Sequence, residues 1–372
     1  MSTHRVVTPA VSETTKRPIE AETNTYLDTQ PAEVALSGRK KALLAALPFC
    51  FFFISLFLGR LMIDPLTVAL ILGKKLLWLP IDSTWSETAE NVVMRIRLPR
   101  AIMAGAVGAG LSVSGAAFQG MFHNPLVSPF ILGVSAGAGF GAALAIILNG
   151  SMFTIQLFAF LFGLAAVAIT YFTSRIYKST PILMLVLSGM VVSALFQSMI
   201  SLLKYTADSE SKLPAIVFWL MGSMGSIGYD ALRTGLTPII VGNIGLLLVS
   251  WRLNVLSMGE REARALGINT EFIKGIVIIC TTLISSTVVA FCGIIGWVGL
   301  VIPHLCRMLV GPDHRVLLPA TLCVGAAYLI LMDNLSRLIS PAEVPLGILT
   351  AIAGAPFFAY LLRKTKGGWG WL

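Results

Sequence analysis

The stretch S-M-G-E-R-E-A-R-A-L-G at residues 257–267 separates two apolar runs. These are T-G-L-T-P-I-I-V-G-N-I-G-L-L-L-V-S-W-R at 234–252 and I-K-G-I-V-I-I-C-T-T-L-I-S-S-T-V-V-A-F-C-G at 273–293. Each run is about 20 residues, enough for a helix to cross the ~30 Å hydrocarbon core of a bilayer. The charged segment between them is too short to hold a helix by itself, so something must pack on it. At helical spacing Glu260 and Arg264 stand four apart and pair on the exposed face. Ala263 and Leu266 fall on another side as a small apolar edge, and Gly259 and Gly267 permit abrupt turns at the two ends. Such a segment is either an ordinary loop helix lying on its own protein or a contact for another one.

The same alternation recurs along the chain. Of 372 residues, 56% are hydrophobic and only 12% charged, with a mean hydropathy of +0.84. A soluble domain could not hide that much apolar surface, so the chain reads as an all-α polytopic membrane protein. A transmembrane β-barrel is excluded because the apolar runs are continuous rather than alternating. About ten spans are predicted, near 42–59, 98–119, 125–148, 152–174, 181–203, 234–252, 273–293, 296–310, 316–335 and 344–362. The segment 64–79 carries Asp64, Pro65, Lys74 and Lys75 and reads as a re-entrant or interfacial helix. The Gly-interrupted segment 214–228 reads as surface helices outside the membrane. Residues 1–38 are polar and rich in Thr, Glu and Pro; they read as a disordered cytoplasmic tail before a membrane domain at 39–372.

The net charge of +9 need not mean nucleic acid, because Lys and Arg in cytoplasmic loops set membrane topology. Arg39, Lys40 and Lys41 precede the first span and place the N-terminus in the cytoplasm; an even number of spans returns the C-terminus there. The bias is right but modest, since Arg60, Lys74, Lys75, Lys204, Lys212, Arg233 and Arg337 also fall outside, and the external excess is concentrated at Arg95, Arg97 and Arg100. The five cysteines, Cys50, Cys280, Cys292, Cys306 and Cys323, are scattered and read as small core residues rather than a metal site or disulfide framework. Small residues recur every fourth position at Ala104, Gly108, Ser112 and Ala116 and at Gly133, Gly137 and Gly141. That spacing lets helices approach closely in lipid. No phosphate-cradling G-x-x-x-x-G-K-[ST] loop occurs, so energy from ATP must come from another subunit. His304 reads as a packing residue. Asp333, the one carboxylate candidate for an ion-coupled relay, falls near an external helix end.

Six motifs give these features a context: R-L-P-R-A-I (97–102), S-G-A-A-F-Q-G-M-F-H-N-P-L (114–126), L-G-V-S-A-G-A-G-F-G (132–141), M-G-E-R-E-A-R-A-L-G (258–267), G-W-V-G-L-V-I-P-H-L-C-R-M-L-V-G-P-D-H-R (296–315) and A-E-V-P-L-G-I-L-T-A-I-A-G-A-P-F-F (342–358). From about residue 40 to 366 the chain resembles the permease subunits of the iron-siderophore, haem and vitamin B12 family of type II ABC importers. The resemblance implies that Gly259, Glu260, Arg261, Ala263, Arg264, Leu266 and Gly267 form a cytoplasmic coupling helix that docks on an ATP-binding subunit. It implies that Arg97, Arg100 and Arg337 receive acidic residues of an external substrate-binding protein. It further implicates Asn124 and Leu126, with Ser179 and Thr180 from the neighbouring loop, in a cytoplasmic gate. No catalytic residue, metal site or cofactor is expected on this chain; ATP and Mg belong to the partner ATPase. The expected assembly is two permeases (a second copy or a close paralogue), two ABC ATPases and one binding protein in a prokaryotic inner membrane. An iron chelate is the expected cargo, with vitamin B12, haem or molybdate as alternatives. An ion-coupled secondary carrier or an intramembrane enzyme would instead need an acid–base relay or paired catalytic groups within the spans.

Overall fold

In the computed structural model, residues 38–175 and 179–364 are described; the tail at 1–37, with the tail reading made for it, lies outside them. Fifteen helices follow in order: α1 (Gly38–Phe57), α2 (Pro65–Leu76), α3 (Glu87–Asn91), α4 (Leu98–Met121), α5 (Val134–Ile147), α6 (Met152–Ser174), α7 (Ile182–Thr206), α8 (Lys212–Met221), α9 (Tyr229–Leu248), α10 (Ser250–Leu256), α11 (Glu260–Ala265), α12 (Thr270–Cys292), α13 (Val298–Val310), α14 (His314–Ile339) and α15 (Leu346–Lys364). A π-helical turn at Val92–Arg97 joins α3 to α4, so the three run on as one 35-residue helix.

Local chemistry starts these helices where the sequence supplies a cap. Asp64 accepts from the Leu66 and Thr67 amides before Pro65 opens α2. Ser86 and Ser151 cap α3 and α6, Asn269 caps α12, and Asp313 caps α14. Seven helices among the described residues are long and apolar enough to cross a membrane, and α5, α13 and α15 are shorter apolar companions. The predicted span 125–148 is therefore corrected. Residues 125–133 form turns, where Pro125 and Pro129 withhold amides, and α5 begins only at Val134. Gly133 does not join the packing stripe; it sits before α5 at φ +87°, a left-handed conformation that suits glycine. The segment 64–79 forms the 12-residue α2, about 18 Å long and too short to span. In 214–228 only α8 is helical. Its end is pinned where Ser223 N donates to Cys292 O at 2.8 Å and Leu346 N donates to Gly222 O at 2.9 Å.

The centre of the bundle is α4, which is 83% buried over its span window and is flanked by α14, α9, α13, α12 and α1. Its small-residue stripe explains the arrangement. A Cβ at Gly108 would stand 2.1 Å from the Gly325 carbonyl oxygen of α14, so the two backbones are in direct contact. On the other side of the bundle a Cβ at Gly141 of α5 would come within 2.4 Å of the Phe158 carbonyl of α6. Lipid provides little hydrophobic drive between helices, and close backbone packing is what holds them together. By contrast α1 is only 11% buried, and one face of α7 exposes Leu183, Leu187, Met190, Leu195 and Leu202.

Gly108→Val is expected to overpack the α4–α14 contact, costing about 1–3 kcal/mol and lowering the unfolding temperature in detergent. Gly275→Ala, at a position inside α12 with nothing within 4 Å of the added carbon, should not lower that temperature and should raise it slightly, since alanine is favoured over glycine in a helix interior by about 0.5–1 kcal/mol.

Candidate functional site

The two ends of the bundle carry different polar chemistry. At one end, α10 and α11 cross beneath the long helices and are tied to three separate loops. His123, in the turn after α4, donates from Nε2 to the Leu256 carbonyl at 2.7 Å. Asn254 of α10 accepts from the His314 backbone amide at 2.7 Å and from its Nδ1 at 2.8 Å, and donates to Asp313 at 2.6 Å. Hydrogen bonds from Arg315 hold the Asp313 carboxyl down at about 2. Its contribution to stability is therefore full above the ordinary carboxylate range of about 4 and fades as pH falls towards 2. The third tie runs through Lys274 of α12 to Glu260 of α11 at 3.1 Å and to the Thr180 carbonyl ahead of α7 at 2.8 Å.

Within this frame α11 takes the predicted helical form, entered through Gly259 at φ +132° and left through Gly267 at φ +79°. The expected Glu260–Arg264 pair forms at 2.9 Å, and Arg264 also reaches the Thr270 hydroxyl at 3.2 Å. The predicted Ala263/Leu266 edge is corrected, because the two residues face opposite ways. Ala263 is fully buried and joins the main core, whereas Leu266 is 65% exposed. A six-residue helix must turn one face to its own protein, and the smallest apolar side chain serves that contact. Met258 is likewise 67% exposed, and Arg261, Glu262 and Arg264 are exposed as well. Met258 was visible within the motif, but its direction depends on the turn at Gly259.

The expected gate residues divide between two loops. Asn124 and Leu126 are exposed on the turn after α4, where Asn124 Oδ1 accepts from the Leu126 amide at 2.9 Å. Ser179 is half-buried and Thr180 buried ahead of α7. The Thr180 amide donates to Glu271 Oε2 at 3.2 Å, and its hydroxyl donates to the same oxygen. Sequence reading singled out neither Lys274 nor Glu271. The available signal was a lysine and a glutamate three apart at the start of an apolar run, where a lone charge is costly to bury.

At the other end the three arginines expected to receive a binding protein are buried within this chain. Arg97 and Arg100 are each 3% exposed and Arg337 is 8% exposed. Arg97 caps the end of α1, donating to Leu56 O at 2.9 Å and to Leu61 O. Arg100 donates to Asp333 at 2.8 Å and pairs with Glu343 at 3.0 Å. Arg337 donates to Ser55 Oγ at 2.9 Å and to Asn334 Oδ1; its Nε lies 3.3 Å from Asp333 Oδ2, a charge contact outside hydrogen-bond geometry. Asp333, fully buried, is thus neutralised by two guanidiniums instead of serving as a relay. The exposed basic groups at this end include Arg60 and Arg95.

A model of the FecCD transport family matches residues 46–364. The chain belongs to that family. The molybdate import system permease protein of Haemophilus influenzae is 44% identical over 315 residues, covering 85% of this chain and 92% of its own length. The cobalamin import system permease protein of Halobacterium salinarum is 39% identical, covering 77% of each. An inward-facing ABC transporter of metal-chelate type, 41% identical, superposes with a TM-score of 0.77 over 88% of this chain and 100% of that one. This FecCD chain is therefore a multi-pass permease subunit of an ABC importer, a transport component rather than an enzyme. Membership of that transporter family implies ATPase and substrate-binding partners.

Asp333→Asn should leave Arg100 and Arg337 buried with too little countercharge and cost about 3–5 kcal/mol. Thermal unfolding in detergent measures this, with exposed Arg95→Ala as a control expected to change little.

Proposed function

We propose that this FecCD permease pairs with a second copy of itself or a close paralogue around a central pathway, above two ATPases that bind the ATP and Mg. The observation that carries the reading is α11: a charged ledge with Met258 and Leu266 turned outward, fastened on its inner side to three loops of the bundle. In this reading the α11 end and both termini face the cytoplasm, and the membrane is the prokaryotic inner membrane. A binding protein delivers cargo at the Arg100 end, where Arg60 and Arg95 are the basic groups within reach of its acidic residues. ATP-driven motion of the ATPases passes through α11 to the helices as rigid-body movement, and the loops of Asn124 and Thr180 close the pathway on that side.

The cargo in this reading is an iron chelate, which the motif pattern favours. A second reading, molybdate, is favoured by the 44% identity to the Haemophilus permease, against 38% for a Helicobacter pylori protein named a probable iron chelatin permease. Both are metal-bearing solutes whose selection rests mainly with the binding protein. Reconstitution with the cognate ATPase and binding protein, offered radiolabelled iron chelate and radiolabelled molybdate separately, discriminates them. ATP-dependent uptake of the chelate alone supports the first reading, and uptake of molybdate alone replaces it with the second. No ATP-dependent uptake of either overturns both.

Placing a charge on the outward ledge tests the ATPase contact. Met258→Asp combined with Leu266→Asp should weaken ATPase association by about tenfold or more, since a buried unpaired carboxylate costs at least about 1–3 kcal/mol. Unchanged affinity in detergent would show that the ATPase sits elsewhere.

A further inference from the structure

Lys274 is the most deeply buried lysine among the described residues, with 1% of its side chain exposed. An ammonium group carries three donors and no acceptor. Here two donors are taken up by other stretches of chain, Glu260 Oε1 of α11 at 3.1 Å and the Thr180 carbonyl at 2.8 Å, while Glu271 Oε1 of its own helix lies 2.5 Å away as a charge contact outside hydrogen-bond geometry. The partners are themselves fastened. The second oxygen of Glu260 holds Arg264, and the second oxygen of Glu271 holds the amide and hydroxyl of Thr180. Two carboxylates and two cations close the network with no net charge, so the buried ammonium is compensated, held by charge-assisted hydrogen bonding to Glu260 and by charge contact with Glu271. Thr180 is followed directly by Pro181, whose extended backbone leads into α7. That helix exposes the apolar stripe of Leu183, Leu187 and Leu195.

We propose that Lys274 is a positioning residue that makes α11 and the Thr180 segment move as one body, so that displacement of α11 is delivered to the start of α7. This rests on the reading of α11 as the ATPase contact. Without the ammonium, α11 would remain packed through Ala263, but it would lose the polar link to Thr180 that runs through this nitrogen. The role is mechanical: Lys274 is buried and touches neither nucleotide nor cargo. A guanidinium in place of the ammonium would keep the charge but not the compact three-way geometry. A methionine side chain keeps most of the aliphatic stem and removes every bond.

The test uses the full transporter in proteoliposomes, comparing Lys274→Met and Lys274→Arg with the unaltered chain. Cargo transported per ATP hydrolysed should fall about tenfold in Lys274→Met, the scale of losing a charge-assisted hydrogen bond, and less in Lys274→Arg. ATPase association should be retained. A second readout is the distance between spin labels at Ala265→Cys and Leu183→Cys, both exposed sites, in a Cys50→Ser background that removes the exposed native thiol. That distance should stay single and unchanged between nucleotide-free and ATP-bound states in the unaltered chain, and broaden or shift with nucleotide in Lys274→Met. An unchanged transport ratio, a label distance insensitive to Lys274→Met, or parallel loss of folding, association and transport would each overturn the proposal. Failure of the unaltered chain to bind an ATPase would overturn the underlying reading as well. That failure is read before any variant is made, so the two are separable.

Discussion

The backbone contact between α4 and α14 at Gly108 and Gly325 is the constraint on which the rest of the bundle depends. With no room there for a Cβ, the two longest buried helices lie against each other and fix the positions of their four ends. One pair of ends brings Arg100 to Asp333, and the other brings the turns after Met121 and before His314 to α10. Lipid contributes little to this association, so shape at a few small residues does what burial does in a soluble core.

From that axis the two ends diverge in chemistry. The Arg100 end is closed by charge: two guanidiniums share one buried carboxylate, and a third caps α1. Such a cluster is a staple, holding α1, α4, α14 and the Glu343 turn together through groups that are tolerated only jointly. The α11 end is an array of links radiating from a short helix whose outer side, among the described residues, leaves Met258 and Leu266 exposed. A fold built this way is stiff where α4 and α14 are clamped. Hydrogen bonds and ion pairs fasten α10, α11 and α12 to the loops at the other end.

Much of this was legible in the chain itself. Apolar runs located each long helix, and the caps at Asp64, Ser86, Ser151, Asn269 and Asp313, though not read from the sequence, act through chemistry within three residues. The stripe at Gly108 read as a packing face and is one. The spacing of Glu260 and Arg264 read as a pair and forms one. What was not legible depends on distant partners. The burial of Arg97, Arg100 and Arg337 could not be read because the residues that absorb them are remote: Asp333 is 233 positions from Arg100, and Leu56 is 41 from Arg97.

What the sequence by itself determined was the class of the protein, a helical membrane bundle with one conspicuous charged interruption, since hydropathy and capping are properties of contiguous residues. Only the tertiary structure decided which charges are neutralised internally and which side of α11 remains on offer. Ala263 turned in, Met258 and Leu266 turned out, and Lys274 became the joint between α11 and Thr180. The physical reason is that a buried charge is tolerated only where opposite charge and hydrogen-bond partners converge on it. That convergence belongs to the packing of helices far apart in the chain.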